Sequence, residues 1–233
     1  FELKMERKNK NETAIFQSQK LIVATGLLAA PKLGSNGSIF SAIKALGHHF
    51  SPILPVLCGF YAKGLPFKKI SGVRVTGKIE AYIDNILQDT NIGELQFTDY
   101  GISGIPVFQV SYILSKGLYE KRKVTAKIQL LCNFTQEQLW KELHFRKTRL
   151  TEKNKYINPQ TNSNNTIYTT LLLNGLLPQK LADMILNLCN ISKEIPLETL
   201  SDSNLQQICD TIQNLSVTIE KARDFEFAQV CTG

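Results

Sequence analysis

The stretch KLIVATGLLAAPKLGSNGS, Lys20 to Ser38, combines residue types that let a ligand meet bare backbone. Leu21, Ile22 and Val23 do not alternate with polar residues, the pattern of a strand covered on both faces. The strand ends in Ala24-Thr25-Gly26. A glycine-bearing turn at the carboxyl end of a sheet permits close approach of a cofactor or substrate. The Thr25 hydroxyl can hydrogen-bond such a ligand, or it can close an ordinary strand-to-loop turn. Beyond Pro31, Gly34-Ser35-Asn36-Gly37 makes a small polar loop before a helix that starts near Ser38. Its N–H groups suit a phosphate, and the same residues serve equally well as a turn that caps the helix. No GxGxxG string precedes the strand.

Thr98-Asp99-Tyr100-Gly101-Ile102-Ser103-Gly104 is the second candidate. Tyr100 is its possible proton donor, with Asp99 beside it. The glycines and serine favour tight turns between strands over chemistry. His48, His49 and His144 make no metal site, because adjacent imidazoles diverge on a regular backbone and no Cys or carboxylate stands at ligand spacing; no metal is expected. P-loop and Ser-His-Asp patterns are absent from the sequence. Five cysteines without a CxxC argue against a disulfide framework and read as the reduced thiols of a cytoplasmic protein.

Four kinds of segment must position these residues. Phe1, Leu3 and Met5 alternate with charged residues, and Ala14-Ile15-Phe16 follows a polar turn at Lys8 to Asn11, which predicts a two-stranded hairpin. A helix capped by Ser38 follows, with Ile39, Phe40, Ile43 and Leu46 on one side and Gly47 ending it. After Pro52 and Pro55, short β runs dominate: Ile70 to Val75, Lys78 to Asp84, Glu94 to Phe97, Ile105 to Ile113 and Lys123 to Leu131. In the last, Val124, Ala126, Ile128 and Leu130 share one face. Such strands suggest a small barrel or sandwich. From Thr135 to Gln138 a capping box opens a helix with Leu139 and Leu143 on one face. Thr151 to Thr166 reads as a loop and Leu171 to Leu177 as a short helix. Pro178 opens the next helix at its first position, with Leu181, Met184, Ile185 and Leu188 as its stripe. Leu205, Ile208, Ile212 and Leu215 form a third stripe led by Ser201 to Asn204, and Val217 to Ile219 returns to strand.

Five blocks, in order and spacing, resemble the BaiN/YhiN-like bacterial flavoproteins, NAD(P)/FAD-dependent oxidoreductases also known as aminoacetone oxidase family FAD-binding enzymes. They are LIVATG with PKLGSNG, ALGH (Ala45 to His48), GELQFTDYGISGIPVFQVS (Gly93 to Ser111), LLLNGLLPQKLADMIL (Leu171 to Leu186) and FEFAQVCTG (Phe225 to Gly233). The Gly93 to Ser111 block carries most of the specificity. The resemblance implies an α+β, multi-domain fold: part of a Rossmann-type FAD-binding domain (residues 1–55), a β-barrel-like insert (56–132), a small helical bundle (133–216) and a β return toward the FAD-binding domain (217–233). It implies FAD as cofactor, held by Ala24, Thr25, Gly26, Gly34, Ser35, Gly37, Thr232 and Gly233, and NAD(P)H as possible reductant. Leu27 and Ile39 stand where the family usually has glycine, and put side chains where backbone would approach the cofactor. The family's amino-terminal glycine-rich cradle and its carboxyl-terminal closing segment have no counterpart in this sequence, so the chain reads as the middle of a longer polypeptide.

Composition is that of an ordinary globular protein, with 43% hydrophobic and 20% charged residues. No apolar run approaches the roughly 20 residues that span a bilayer. The net charge of +7 is spread over scattered lysines, which makes nucleic acid an unfavoured partner. The leading reading is the central part of a flavin-dependent oxidoreductase acting on a small organic substrate, the piece alone being inactive. The alternatives are a non-catalytic module that binds RNA or protein, and a degenerate flavoprotein without cofactor.

Overall fold

The computed structural model describes residues 1–6, 13–157 and 166–233. The predicted hairpin forms from β1 (Glu2–Glu6) and β2 (Thr13–Gln17), paired antiparallel. Its turn lies outside the described residues, as do residues 158–165 of the expected loop. The helix α1 (Phe40–Ala45) follows. Then come β3 (Pro55–Val56), β4 (Phe60–Lys63), α2 (Phe67–Ile70), β5 (Arg74–Ile83), β6 (Ile86–Phe97), β7 (Gly101–Gly104), α3 (Ile105–Tyr119) and β8 (Val124–Leu130). The helices α4 (Gln136–Ile157), α5 (Gln179–Leu188) and α6 (Asp202–Gln213) precede β9 (Leu215–Ala222) and β10 (Val230–Cys231).

The predicted barrel is present. Six antiparallel strands close in the order β4-β7-β6-β5-β8-β9, with β9 pairing back onto β4. Closure leaves no unpaired strand edge. Alternation places Ile79, Ala81, Leu95, Val124, Ala126, Ile128, Val217 and Ile219 inside. The boundary drawn at residue 217 falls within β9, because the return strand completes the barrel wall.

The largest correction is Ile105 to Ile113, which is the first part of α3 and not a strand. Val107, Val110 and Leu114 are fully buried at helical spacing, and Pro106 sits in the first turn where a missing N–H costs nothing. Its β-branched content suggested a strand, yet tertiary packing decides. The helix packs against β5, β6, β7 and β9, and Gly117 lets it reach Val124 and Ile83. Smaller corrections follow the same logic. Ile70 ends α2, and the strand begins only at Arg74. The strands β4 and β7 and the first half of β6 escape the pattern because they are short or exposed on both faces.

The Thr135 box is present: the Thr135 N–H donates to Gln138 Oε1 and the Gln138 N–H to Thr135 Oγ1. The helix α4 then runs through residues 151–157, expected as loop. Leu171 to Leu177 is no α-helix but a 3-10 turn, Thr169–Leu171, and tight turns around Gly175 at φ 76°. Burial of Leu172, Leu173 and Leu177 on different sides of this bend replaces a helical stripe. Pro178 is the N-cap of α5 and not its first residue, and Leu188 is exposed. Ser201 and Asn204 form a reciprocal capping box on α6, whose stripe ends at Ile212; Leu215 belongs to β9.

Candidate functional site

Leu21 to Ala24 forms no strand among the described residues. Ile22 is 91% and Val23 42% exposed, against the expectation of a strand covered on both faces. A strand needs partners for its N–H and C=O groups, and among the described residues none hydrogen-bonds to the backbone of this segment. The loop after it is nevertheless folded. Ser35 Oγ donates to the Leu27 carbonyl at 2.8 Å, and the Ser38 N–H donates to Asn36 Oδ1 at 3.0 Å. Ser38 therefore does not cap α1, whose N-cap is Ile39. Thr25 Oγ1 donates back to the Gly26 carbonyl, a local turn contact.

The glycines of this loop divide into two kinds. Gly26 and Gly37 both have φ 70°, and a Cβ on either would strike Ser35 Oγ or the Leu28 side chain at 2.8 Å. Their smallness is required by the loop's own packing. Gly34 has φ 104° and nothing within 4 Å of the place a Cβ would take, so its backbone is open to a ligand.

A cavity of about 540 Å³ lies beside the loop, lined by Leu21, Val23, Leu27, His48, Phe50 and Gly233 among others. Its size is that of a ligand pocket. Apolar walls and the imidazoles of His48 and His49 suit the flat face of an aromatic ring system; among the described residues no Lys or Arg side chain lines it to meet a pyrophosphate. Gly233 is the one predicted cofactor residue in the lining, and a Cβ there would come within 2.4 Å of Leu27 Cδ1. Ala24, Thr25 and Gly26 adjoin it in sequence, between Val23 and Leu27. Thr232 is engaged elsewhere: its Oγ1 accepts the Leu54 N–H at 2.9 Å and donates to the Pro52 carbonyl at 2.5 Å.

The Ala30 N–H donates to the Phe225 carbonyl at 3.1 Å, and Lys32 pairs with Glu226. The loop thus rests on the 3-10 turn Phe225–Phe227 that follows β9.

Tyr100 does not line the cavity beside the loop. Its ring is 5.1 Å from that of Tyr61, and the Arg223 guanidinium stands 4.5 Å from its centroid. The surrounding block does turn chemistry. Thr98 and Gly101 exchange hydrogen bonds, and the Ala62 N–H donates to the Tyr100 carbonyl. A Cβ on Gly101 would lie 2.3 Å from the Phe60 carbonyl oxygen, and one on Gly104 would lie 2.5 Å from that of Glu94. The block's glycines let β7 cross closely between β4 and β6. Arg223, Tyr61 and Phe227 were missed by sequence reasoning; the spacing of Arg223 before Phe225 and Phe227 was the available signal.

The barrel and helix region matches the family described as HI0933-like protein barrel and H2TH domain over residues 54–230. The chain belongs to this HI0933-like family. It is the family of BaiN/YhiN-type flavoproteins to which the sequence blocks pointed. A 3-dehydro-bile acid delta(4,6)-reductase of Clostridium scindens is 33% identical over 218 residues, which is 94% of this chain and 50% of the relative. The chain spans about half the length of the curated relative it matches. That alignment is longer than the stretch from Leu54 to Gly233, so it reaches into the loop segment before the barrel. Among the described residues no helix is long and apolar enough to cross a membrane, and no cluster of His, Cys, Asp or Glu is arranged to hold a metal.

Proposed function

We propose that this HI0933-like chain is the barrel-and-helix part of an FAD-dependent oxidoreductase that moves hydride between NAD(P)H, flavin and an organic substrate. The observation that carries the reading is the alignment to a reductase across both the barrel and the candidate flavin loop. The cavity between Leu27, His48 and Gly233 supports it by offering an apolar slot. Flavin would supply the hydride chemistry. The chain's residues would hold the ring between apolar walls, with Gly34 and the Ala24 to Gly26 turn giving backbone contact. The barrel would exclude water from the reacting face. Residues 1–55 and the chain's last residues would join the rest of a longer polypeptide to complete the FAD-binding domain. A titration of FAD and of riboflavin, followed by quenching of flavin fluorescence, tests the reading. Saturable quenching with similar affinity for both is expected, because the cavity fits the ring and not the pyrophosphate. Absence of quenching by either would remove the cavity from the flavin site.

Leu27 favours a second reading, a family member that no longer holds cofactor. Its side chain lines the cavity and packs on Gly233 where the family usually has glycine. Under that reading, Leu27→Gly gains flavin binding that the wild type lacks. Equal binding by both sinks it.

A further inference from the structure

Three aromatic rings gather round one guanidinium at the end of β9. Arg223 Cζ lies 3.7 Å from the Phe227 centroid, 4.5 Å from that of Tyr100 and 5.7 Å from that of Tyr61. The backbone is fixed as well, since the Arg223 N–H donates to the Gly59 carbonyl at 2.9 Å. Rings over its faces leave a guanidinium only its edge N–H groups for hydrogen bonding. The neighbouring cations are already matched: Lys221 pairs with Asp224, and Lys63 with Glu220. Among the described residues no carboxylate pairs with Arg223. Arg223 also lines a cavity of about 290 Å³ with Pro55, Leu118, Lys221, Asp224 and Phe225. The two carboxylates at this cavity, Glu220 and Asp224, are the ones held by lysines.

We propose that Arg223 and the cavity it lines bind a flat organic oxyanion, a carboxylate or phosphate monoester carried on an aromatic or similarly planar body. A clamped guanidinium presents a planar fork that takes two oxygens of one such group. Pro55, Leu118 and Phe225, which line the cavity, offer apolar contact to the planar body. The site adjoins the flavin loop through the Ala30–Phe225 hydrogen bond, yet it stands on its own geometry and does not require flavin.

The test titrates the 233-residue chain with 1-naphthoate and, separately, with 1-naphthyl phosphate, following probe fluorescence. Saturable one-to-one binding of at least one probe is expected. Naphthoate alone assigns a carboxylate ligand, the phosphate alone assigns a phosphate ligand, and both together assign the shared oxyanion. Arg223→Lys keeps the charge but loses the fork, and should weaken binding about tenfold with an unchanged melting midpoint. Phe227→Leu removes one clamp from an exposed turn and should weaken binding about threefold. No saturable binding of either probe to the wild type overturns the proposal. So does wild-type affinity in folded Arg223→Lys or, if that variant does not fold, in folded Phe227→Leu.

Discussion

Ser111 Oγ accepts the backbone N–H of Leu57 at 2.8 Å and donates to the Phe108 carbonyl at 2.6 Å, tying the entry to the barrel onto α3. Four residues further along the helix, Ser115 Oγ donates to the Pro55 carbonyl at 2.7 Å. Both serines are buried, and Leu57 is held at φ 51°. The short strand β3, which pairs with β10 between the loop region and the barrel, is thereby locked onto α3 by two hydroxyls. Ser111→Ala leaves the Leu57 N–H without its acceptor and should cost about 1–3 kcal/mol in urea unfolding. A change within about 0.5 kcal/mol, the size of a surface substitution, would show that water replaces the hydroxyl.

Gly101→Ala should be far more damaging. The added methyl would meet the Phe60 carbonyl oxygen at 2.3 Å and the Ala62 nitrogen at 2.7 Å, both barrel backbone atoms that cannot swing aside. A loss above about 4 kcal/mol, or failure to accumulate soluble protein, is expected. Gly47→Ala is the control: φ is 90° but nothing lies within 4 Å, so only strain of about 1 kcal/mol applies. Comparable losses in the two variants would refute the steric account.

These glycines also show what the sequence made legible. The strand β8 was readable because every second residue, Val124 to Leu130, enters the core, and a period of two survives any detail of the partner strands. The box at Thr135 was readable because a cap is local chemistry, whereas Ser201 to Asn204 was read only as the polar run that leads a helix. Ile105 to Ile113 was not, since its β-branched residues fit both periods until the barrel beneath it selects the helix. Leu21 to Val23 was misread for the opposite reason: an unbroken apolar run predicts a covered strand only if covering elements are beside it. In the candidate site, the Gly26 and Gly37 positions were identifiable as glycine-dependent. The sequence could not tell internal packing from ligand contact, and the Arg223 cluster joins residues from β4, the β6–β7 turn and the end of β9.

On the barrel wall, Glu80 accepts from Tyr82 Oη and from Lys78 Nζ, each at 2.6 Å. The Lys78 hydrogen bond leads in holding the Glu80 carboxyl below its ordinary value, with Tyr82 next. The Tyr82 phenol is pushed up to about 12 by donating to Glu80. A depressed carboxyl stabilises the fold above its unfolded value of 4.5, and that contribution is lost as pH falls through the folded value. A raised phenol acts in the other direction: its contribution is present below 10.0 and is lost as pH rises toward about 12. Ultraviolet titration should therefore show Tyr82 ionising late, and Glu80→Gln should bring its midpoint down toward the ordinary 10.0. An unchanged titration curve in that variant would contradict the Glu80–Tyr82 bond.

Thiol reactivity tests whether barrel and helices unfold together. Burial pushes the Cys58 thiol, between β3 and β4, and the Cys209 thiol, in α6, up to about 11 each. Burial raises Cys189 as well. At pH 8 the thiolate fraction of a group near 11 is about one in a thousand, so native alkylation should be confined to the half-buried Cys132 and Cys231. One continuous apolar cluster runs from Phe60 and Ile79 in the barrel through Leu139 and Leu143 to Ile208 and Ile212 in the bundle. Residues in one cluster lose their contacts together, so the barrel cannot open without exposing the helices that pack on it. Under increasing urea, mass-spectrometric alkylation should report the same midpoint for Cys58 and Cys209. A Cys209 that becomes reactive well before Cys58 would mean that the bundle opens on its own, and that the shared cluster does not couple the two.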